Sequence, residues 1–123
     1  MTRCLLVDED GAERRIVGQL LGSYGFELAE TANADAALKH CRSHQPDIVI
    51  TGDRLGGMTA SEFVKRVRRT ANHGKRQPVV LVYTDQADTE EIGRAIIEGA
   101  AEYLLKPFDR ELLEFKLRQV GLL

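Results

Sequence analysis

Two carboxylates follow directly on a short apolar run, Leu5-Leu6-Val7-Asp8-Glu9, and a lysine follows another, Tyr103-Leu104-Leu105-Lys106-Pro107-Phe108. A further run, Val79 to Tyr83, ends in the hydroxyl of Thr84. Adjacent carboxylates on a loop suit a hard divalent ion that keeps most of its water, the coordination magnesium prefers. A hydroxyl donor and a mobile ammonium supply the other half of a phosphoryl-binding site, donors and positive charge aimed at the oxygens of the transferring group. An isolated acid pair commonly does no more than cap a helix or face solvent. Here the pair recurs with Thr84 and Lys106, each at the end of an apolar run.

Those ends meet only if the runs are parallel strands of one sheet. Cys4 to Val7 and Ile48 to Ile50 are continuous apolar runs, as expected of strands buried on both faces. Between them lie helical patterns. Ile16, Leu20, Leu21 and Tyr24 recur at helical spacing over about Ala12 to Tyr24, with Gly25 to end the segment. Glu27 to Thr31 reads as an outer strand, and Asn33 opens a helix through Ala34, Ala37, Leu38 and Cys41 that closes before Pro46. Gly52 to Gly57 has the glycine content of a loop. Thr59 with Glu62, and Asp88 with Glu91, have capping-box spacing ahead of two further helices. Gly99 ends the second of these, Glu102 to Leu105 is the last strand, and Asp109 caps a helix carrying Leu112, Leu113, Leu117 and Val120. Right-handed crossovers make such a βα alternation an α/β fold, a doubly wound parallel sheet with helices on both faces. Its site is expected at the carboxyl ends of the strands.

Composition narrows the function classes. A chain of 123 residues, 43% apolar and 29% charged, fits one globular unit with a real core. Seventeen basic against 19 acidic side chains leave a formal charge of -2, which argues against a nucleic-acid or membrane-surface binder taken as a whole. The start Met1-Thr2-Arg3 leads into a strand, so a cytosolic protein is expected. Cys4 and Cys41 lie in apolar patterns without metal-ligand spacing and read as reduced, packed thiols.

Carboxylate pair, threonine and Lys-Pro-Phe, in that order at strand ends, resemble the receiver domain of bacterial two-component response regulators, of the single-domain chemotaxis type. The resemblance runs from Arg3 to about Val120, so residues 1–123 are read as one receiver domain. Arg14-Arg15-Ile16-Val17, Tyr24-Gly25-Phe26, Gly99-Ala100 and Tyr103 add to it. It implies a flavodoxin-like fold with five strands in the order 2-1-3-4-5. It also implies a magnesium site at Asp8 and Glu9, completed by Asp53 if that residue is the phosphoacceptor. Thr84 would be a phosphoryl-sensing switch, Tyr103 a coupled aromatic, and Lys106 a phosphoryl contact on a cis bond to Pro107. The implied partners are a histidine kinase or phosphotransfer protein, which donates the phosphoryl group, and a downstream protein on the face of the fourth helix, fifth strand and fifth helix.

The chain departs from the family at the acceptor. Receivers place that aspartate six residues after the proline of a Pro-Asp pair and six before a methionine, and here Pro46 and Met58 both count to Gly52. The neighbouring acid is Asp53. Two registers follow. With Gly52 at the acceptor position no acyl phosphate forms there, and the domain is a phosphorylation-independent pseudo-receiver that docks partners. With a one-residue bulge, eased by the flanking glycines, Asp53 turns inward and accepts the phosphoryl group.

Other readings compete. Asp8 and Asp10 have the spacing of the nucleophile motif of haloacid-dehalogenase-like phosphatases, though Gly11-Ala12-Glu13 follows where a threonine is expected. A flavodoxin-like cofactor binder needs a hydroxyl- and glycine-rich loop after the first strand, and here that loop is acidic. Lys65, Arg66, Arg68, Arg69, Lys75 and Arg76 form a basic cluster, read as a solvated helix end or as a dock for anions. His40, His44 and His73 read as surface histidines.

Overall fold

The apolar runs become parallel strands, and their pairing fixes which side chains share a face. The computed structural model describes residues 1–71 and 76–123, so His73 and Lys75 lie outside the described residues. Strands β1 (Arg3–Val7), β2 (Glu27–Thr31), β3 (Ile48–Gly52), β4 (Val79–Thr84) and β5 (Glu102–Leu105) form one sheet in the order β2-β1-β3-β4-β5. Helices α1 (Gly11–Leu21), α2 (Ala34–His44), α3 (Ala60–Arg69), α4 (Thr89–Glu98) and α5 (Arg110–Gln119) connect and cover it.

Alternation along the strands divides the core in two. Leu5, Val7, Val49, Val80 and Val82 face α2, α3 and α4, packing on Leu38, Phe63, Val64, Val67 and Ala95. Leu6, Ile48, Ile50, Leu81, Tyr83 and Leu104 face α1 and α5, packing on Val17, Leu21, Leu113 and Leu117. Successive residues point to opposite faces, so a residue's parity at a strand end decides which side it serves. The register sets Gly52 beside Tyr83 and Thr84 beside Leu105.

Helix starts follow the capping residues. Asp10, Asn33, Thr59, Asp88 and Asp109 each accept from backbone N–H groups of the first turn. The two capping boxes close by half. Glu62 turns to Arg66 at 3.0 Å, and Glu91 accepts from Ser61 N–H at 2.8 Å, tying α4 to α3 instead of capping its own helix. Two other differences are local. The first helix gives way at Gly22–Tyr24 to a 3₁₀ turn ending at Gly25, whose φ of 74° suits glycine. Gly52, expected in the loop, continues β3 in ladder register with β4.

Candidate functional site

The carboxyl ends of β1, β3, β4 and β5 deliver two separate groups of polar side chains, one on each side of the sheet. On the α1/α5 side Asp8 follows the parity of Leu6 and is 3% exposed. Its Oδ2 accepts from the Tyr83 hydroxyl at 2.6 Å, and its Oδ1 accepts from Asp10 N–H at 2.9 Å. Arg14 donates to the Asp8 carbonyl oxygen at 2.5 Å. Gly52 shares this side: a Cβ built there would lie 2.9 Å from Asp8 Oδ2 and 3.0 Å from its Cγ. Burial, and after it the hydrogen bond to and charge of Asp8, push the Tyr83 phenol far above its ordinary range. Tyr83 is therefore a fixed donor to the carboxylate, a bond of a kind worth about 1.5–3 kcal/mol.

Lys106 stands at the same edge, with its bond to Pro107 cis. Its Nζ pairs with Glu13 Oε2 at 3.3 Å and sits 5.5 Å from the centre of the Tyr83 ring. Glu9 is exposed, near Gly56.

The α3/α4 side holds the other group. Asp53 continues the parity of Val49 and Thr51, and Thr84 that of Val80 and Val82, so both point away from Asp8. Thr84, 1% exposed, donates from Oγ1 to Asp53 Oδ2 at 2.6 Å and accepts from Gln86 N–H at 3.0 Å. These residues line a hollow of about 380 Å³ together with Tyr103, Asp88 and Glu91. Burial first, then the charges of Asp53, Glu91 and Asp88, push Tyr103 up to about 12.

The edge of the sheet thus gathers Asp8, Glu9, Thr84 and Lys106, with Asp8 bonded to Tyr83, Lys106 paired with Glu13, and Thr84 bonded to Asp53. Sequence reasoning missed Tyr83 and Glu13. The available signal for the first was one phenol at the end of an otherwise aliphatic strand.

A magnesium ion bound in the manner of an acidic strand-end pocket asks for several oxygens. Gly52 offers no side chain, both oxygens of Asp8 are engaged, and Glu9 is turned to solvent. Among the described residues no group of at least three acid, histidine or cysteine side chains is placed to hold a metal ion. The donor set falls short of what a tightly held magnesium needs.

The sequence matches the family model of the response regulator receiver domain over residues 4–118. The chain belongs to that family. This receiver is 30% identical over 119 residues to the chemotaxis protein CheY of Pseudomonas aeruginosa, covering 96% of this chain and 94% of that one. It is 28% identical to the transcriptional regulatory protein AfsQ1 of Streptomyces coelicolor, covering 98% of this chain and 51% of that protein. The chain thus spans about half the length of such regulators. The chemotaxis response regulator CheY4 of Vibrio cholerae superposes with a TM-score of 0.82 at 29% identity, each chain covered to 98%. The receiver is a signal-transduction module of two-component systems, and the comparisons lend no support to a phosphatase of the dehalogenase type. Receivers in general bind magnesium at an acidic pocket and work with histidine kinases and downstream effectors. Among the described residues no helix is long and apolar enough to cross a membrane.

Proposed function

We propose that this receiver signals without forming an aspartyl phosphate, as a pseudo-receiver whose docking surfaces are set by its own side chains. One observation carries the reading. The place opposite Asp8 belongs to Gly52, which has no nucleophile, while the carboxylate of Asp53 is turned to the far side of the sheet and engaged by Thr84.

Phosphoryl transfer to a receiver depends on positioning and on neutralising charge at the acceptor. With Asp53 across the sheet from Asp8 and Lys106, attacking oxygen and charge stabilisers do not face a common point. Lys106, lacking a carboxylate at position 52, pairs with Glu13. Magnesium binding at Asp8 and Glu9 is weak on this reading, because the hydroxyl of Tyr83 competes for Asp8 and position 52 adds no ligand. The domain docks a histidine kinase or phosphotransfer protein without accepting its phosphoryl group. It presents a downstream partner with the face of α4, β5 and α5, where Ile96, Ile97, Leu105 and Phe115 are exposed. It is a cytoplasmic binding module rather than an enzyme, and residues 1–123 act as one domain.

The test is incubation with acetyl phosphate and magnesium, followed by intact-mass measurement. No stable phosphoryl adduct is expected. Efficient labelling of the unaltered chain that disappears in Asp53→Ala would overturn the reading and make Asp53 the acceptor.

A further inference from the structure

The hydroxyl of Thr84 is the hub of a short chain of hydrogen bonds that crosses three segments. It donates to Asp53, just beyond β3, and accepts from the N–H of Gln86, in the loop that leads into α4. Thr84 is buried, so its hydroxyl would be costly to leave without an acceptor. A carboxylate at 2.6 Å fixes the rotamer, and with Oγ1 fixed the Gln86 amide is held two residues before the cap of α4. That cap, Asp88, and Glu91 in the first turn line the same hollow as Asp53, with Tyr103 at its edge.

The rest of α4 is anchored on the same side. Glu91 accepts from Ser61 N–H at 2.8 Å and from Arg94 at 3.1 Å, and Arg68 lies over Gly99, where α4 ends. A helix held at its first turn and at its end carries its outer residues in one position. Those outer residues, Ile96 and Ile97, are 54% and 84% exposed.

We propose that Asp53 is a positioning residue: through Thr84 Oγ1 and the Gln86 amide its carboxylate holds the start of α4, and so presents the apolar face of α4, β5 and α5 in a single arrangement that needs no phosphoryl group. This rests on the pseudo-receiver reading and adds the part played by its displaced aspartate. A carboxylate in this place gives the hydroxyl a partner without a phosphoryl group, so the loop after β4 is held where that bond puts it. The charge of Asp53 also reaches Tyr103, where it helps to keep the phenol protonated.

The experiment is amide hydrogen exchange, resolved by segment, on the full chain and on Asp53→Ala, Asp53→Asn, Thr84→Val and the Asp53→Ala/Thr84→Val pair. Loss of a hydrogen bond to a charged group is expected to speed exchange over residues 85–92 by roughly ten-fold. β1 and β3 should be unchanged, which separates local release from general destabilisation. Because Thr84→Val already removes both the donor to Asp53 and the acceptor of the Gln86 amide, the double variant should exchange no faster than Thr84→Val alone. Asparagine keeps an acceptor oxygen but not the charge, so Asp53→Asn should fall between the parent chain and Asp53→Ala. Unchanged exchange over 85–92 in Asp53→Ala, or additive effects in the double variant, would overturn the proposal. Its failure is distinct from failure of the pseudo-receiver reading, which would show as labelling of the unaltered chain by acetyl phosphate.

Discussion

Gly52 and Asp8 face each other so closely that any side chain at position 52 begins 2.9 Å from a carboxylate oxygen. Asp8 occupies that space because Tyr83 draws its Oδ2 inward and Asp10 N–H holds its Oδ1. Gly52→Asp therefore adds crowding and a second negative charge to a buried spot. We expect it to lower stability by about 1–3 kcal/mol in urea melts. Magnesium should restore part of the loss, since a cation between the two acids relieves their repulsion. Equal stability with and without magnesium would show that the two carboxylates do not share a site.

Removing the phenolic oxygen frees Asp8. Tyr83→Phe should tighten magnesium binding on the order of ten-fold, because the ion no longer competes with a hydrogen bond to a charged group. Glu9→Ala should weaken binding in both backgrounds. Titration calorimetry decides, and an unchanged affinity in Tyr83→Phe would mean that the ion does not use Asp8 Oδ2.

Labelling by acetyl phosphate should appear only when both obstacles are gone. Gly52→Asp alone should label poorly, and Gly52→Asp with Tyr83→Phe should label well, as the acid then has room and Asp8 can turn to a cation. Intact-mass spectra at matched times make the comparison. Equal labelling of the single and double variants would remove Tyr83 from the account.

Alkaline titration should follow Tyr103. Its phenol is raised by burial first, and by Asp53, Glu91 and Asp88 after that, from 10.0 to about 12. The folded state thus favours the protonated phenol. The associated stability is present in full below pH 10 and falls as pH rises from 10 toward 12. Absorbance at the tyrosinate band should show the step, and Asp53→Asn should move it downward while burial keeps it above the ordinary value. A step that ignores Asp53→Asn would place that carboxylate too far from Tyr103 to matter.

Both thiols should be silent in the native chain. Burial raises Cys4 to about 12 and Cys41 to about 11, and thiolate is the reactive form. Maleimide at neutral pH should label neither until denaturant is added. Rapid native labelling of either would contradict its burial.

The central strands were legible because a strand buried on both faces is apolar at every position, as Ile48-Val49-Ile50 is, whereas their order in the sheet followed from the family resemblance. Helix starts at Asn33, Asp88 and Asp109 were legible because an N-cap is a local bond between neighbours in sequence. Counting along β3 also places Gly52 and Asp53 on opposite faces, since strand alternation is a rule of the backbone. Side-chain partners were less legible. Nothing near Glu91 in sequence indicates that it would serve Ser61 rather than its own helix, and nothing near Tyr83 announces Asp8, which is 75 residues away. Such pairs are chosen by packing across the sheet, where several donors compete for one acceptor and distance decides.

The phenol against Asp8 also bears on how this chain could change over generations. On the proposed reading, a lineage that acquires an aspartate at position 52 first meets a destabilised protein in which the neighbouring acid is still held by Tyr83. One that loses the phenol first gains nothing, because glycine remains opposite. The two steps help only in combination, so selection has no gradual slope to climb. On that reading such a pair insulates the protein: a single substitution at position 52 offers a foreign kinase only a poor acceptor.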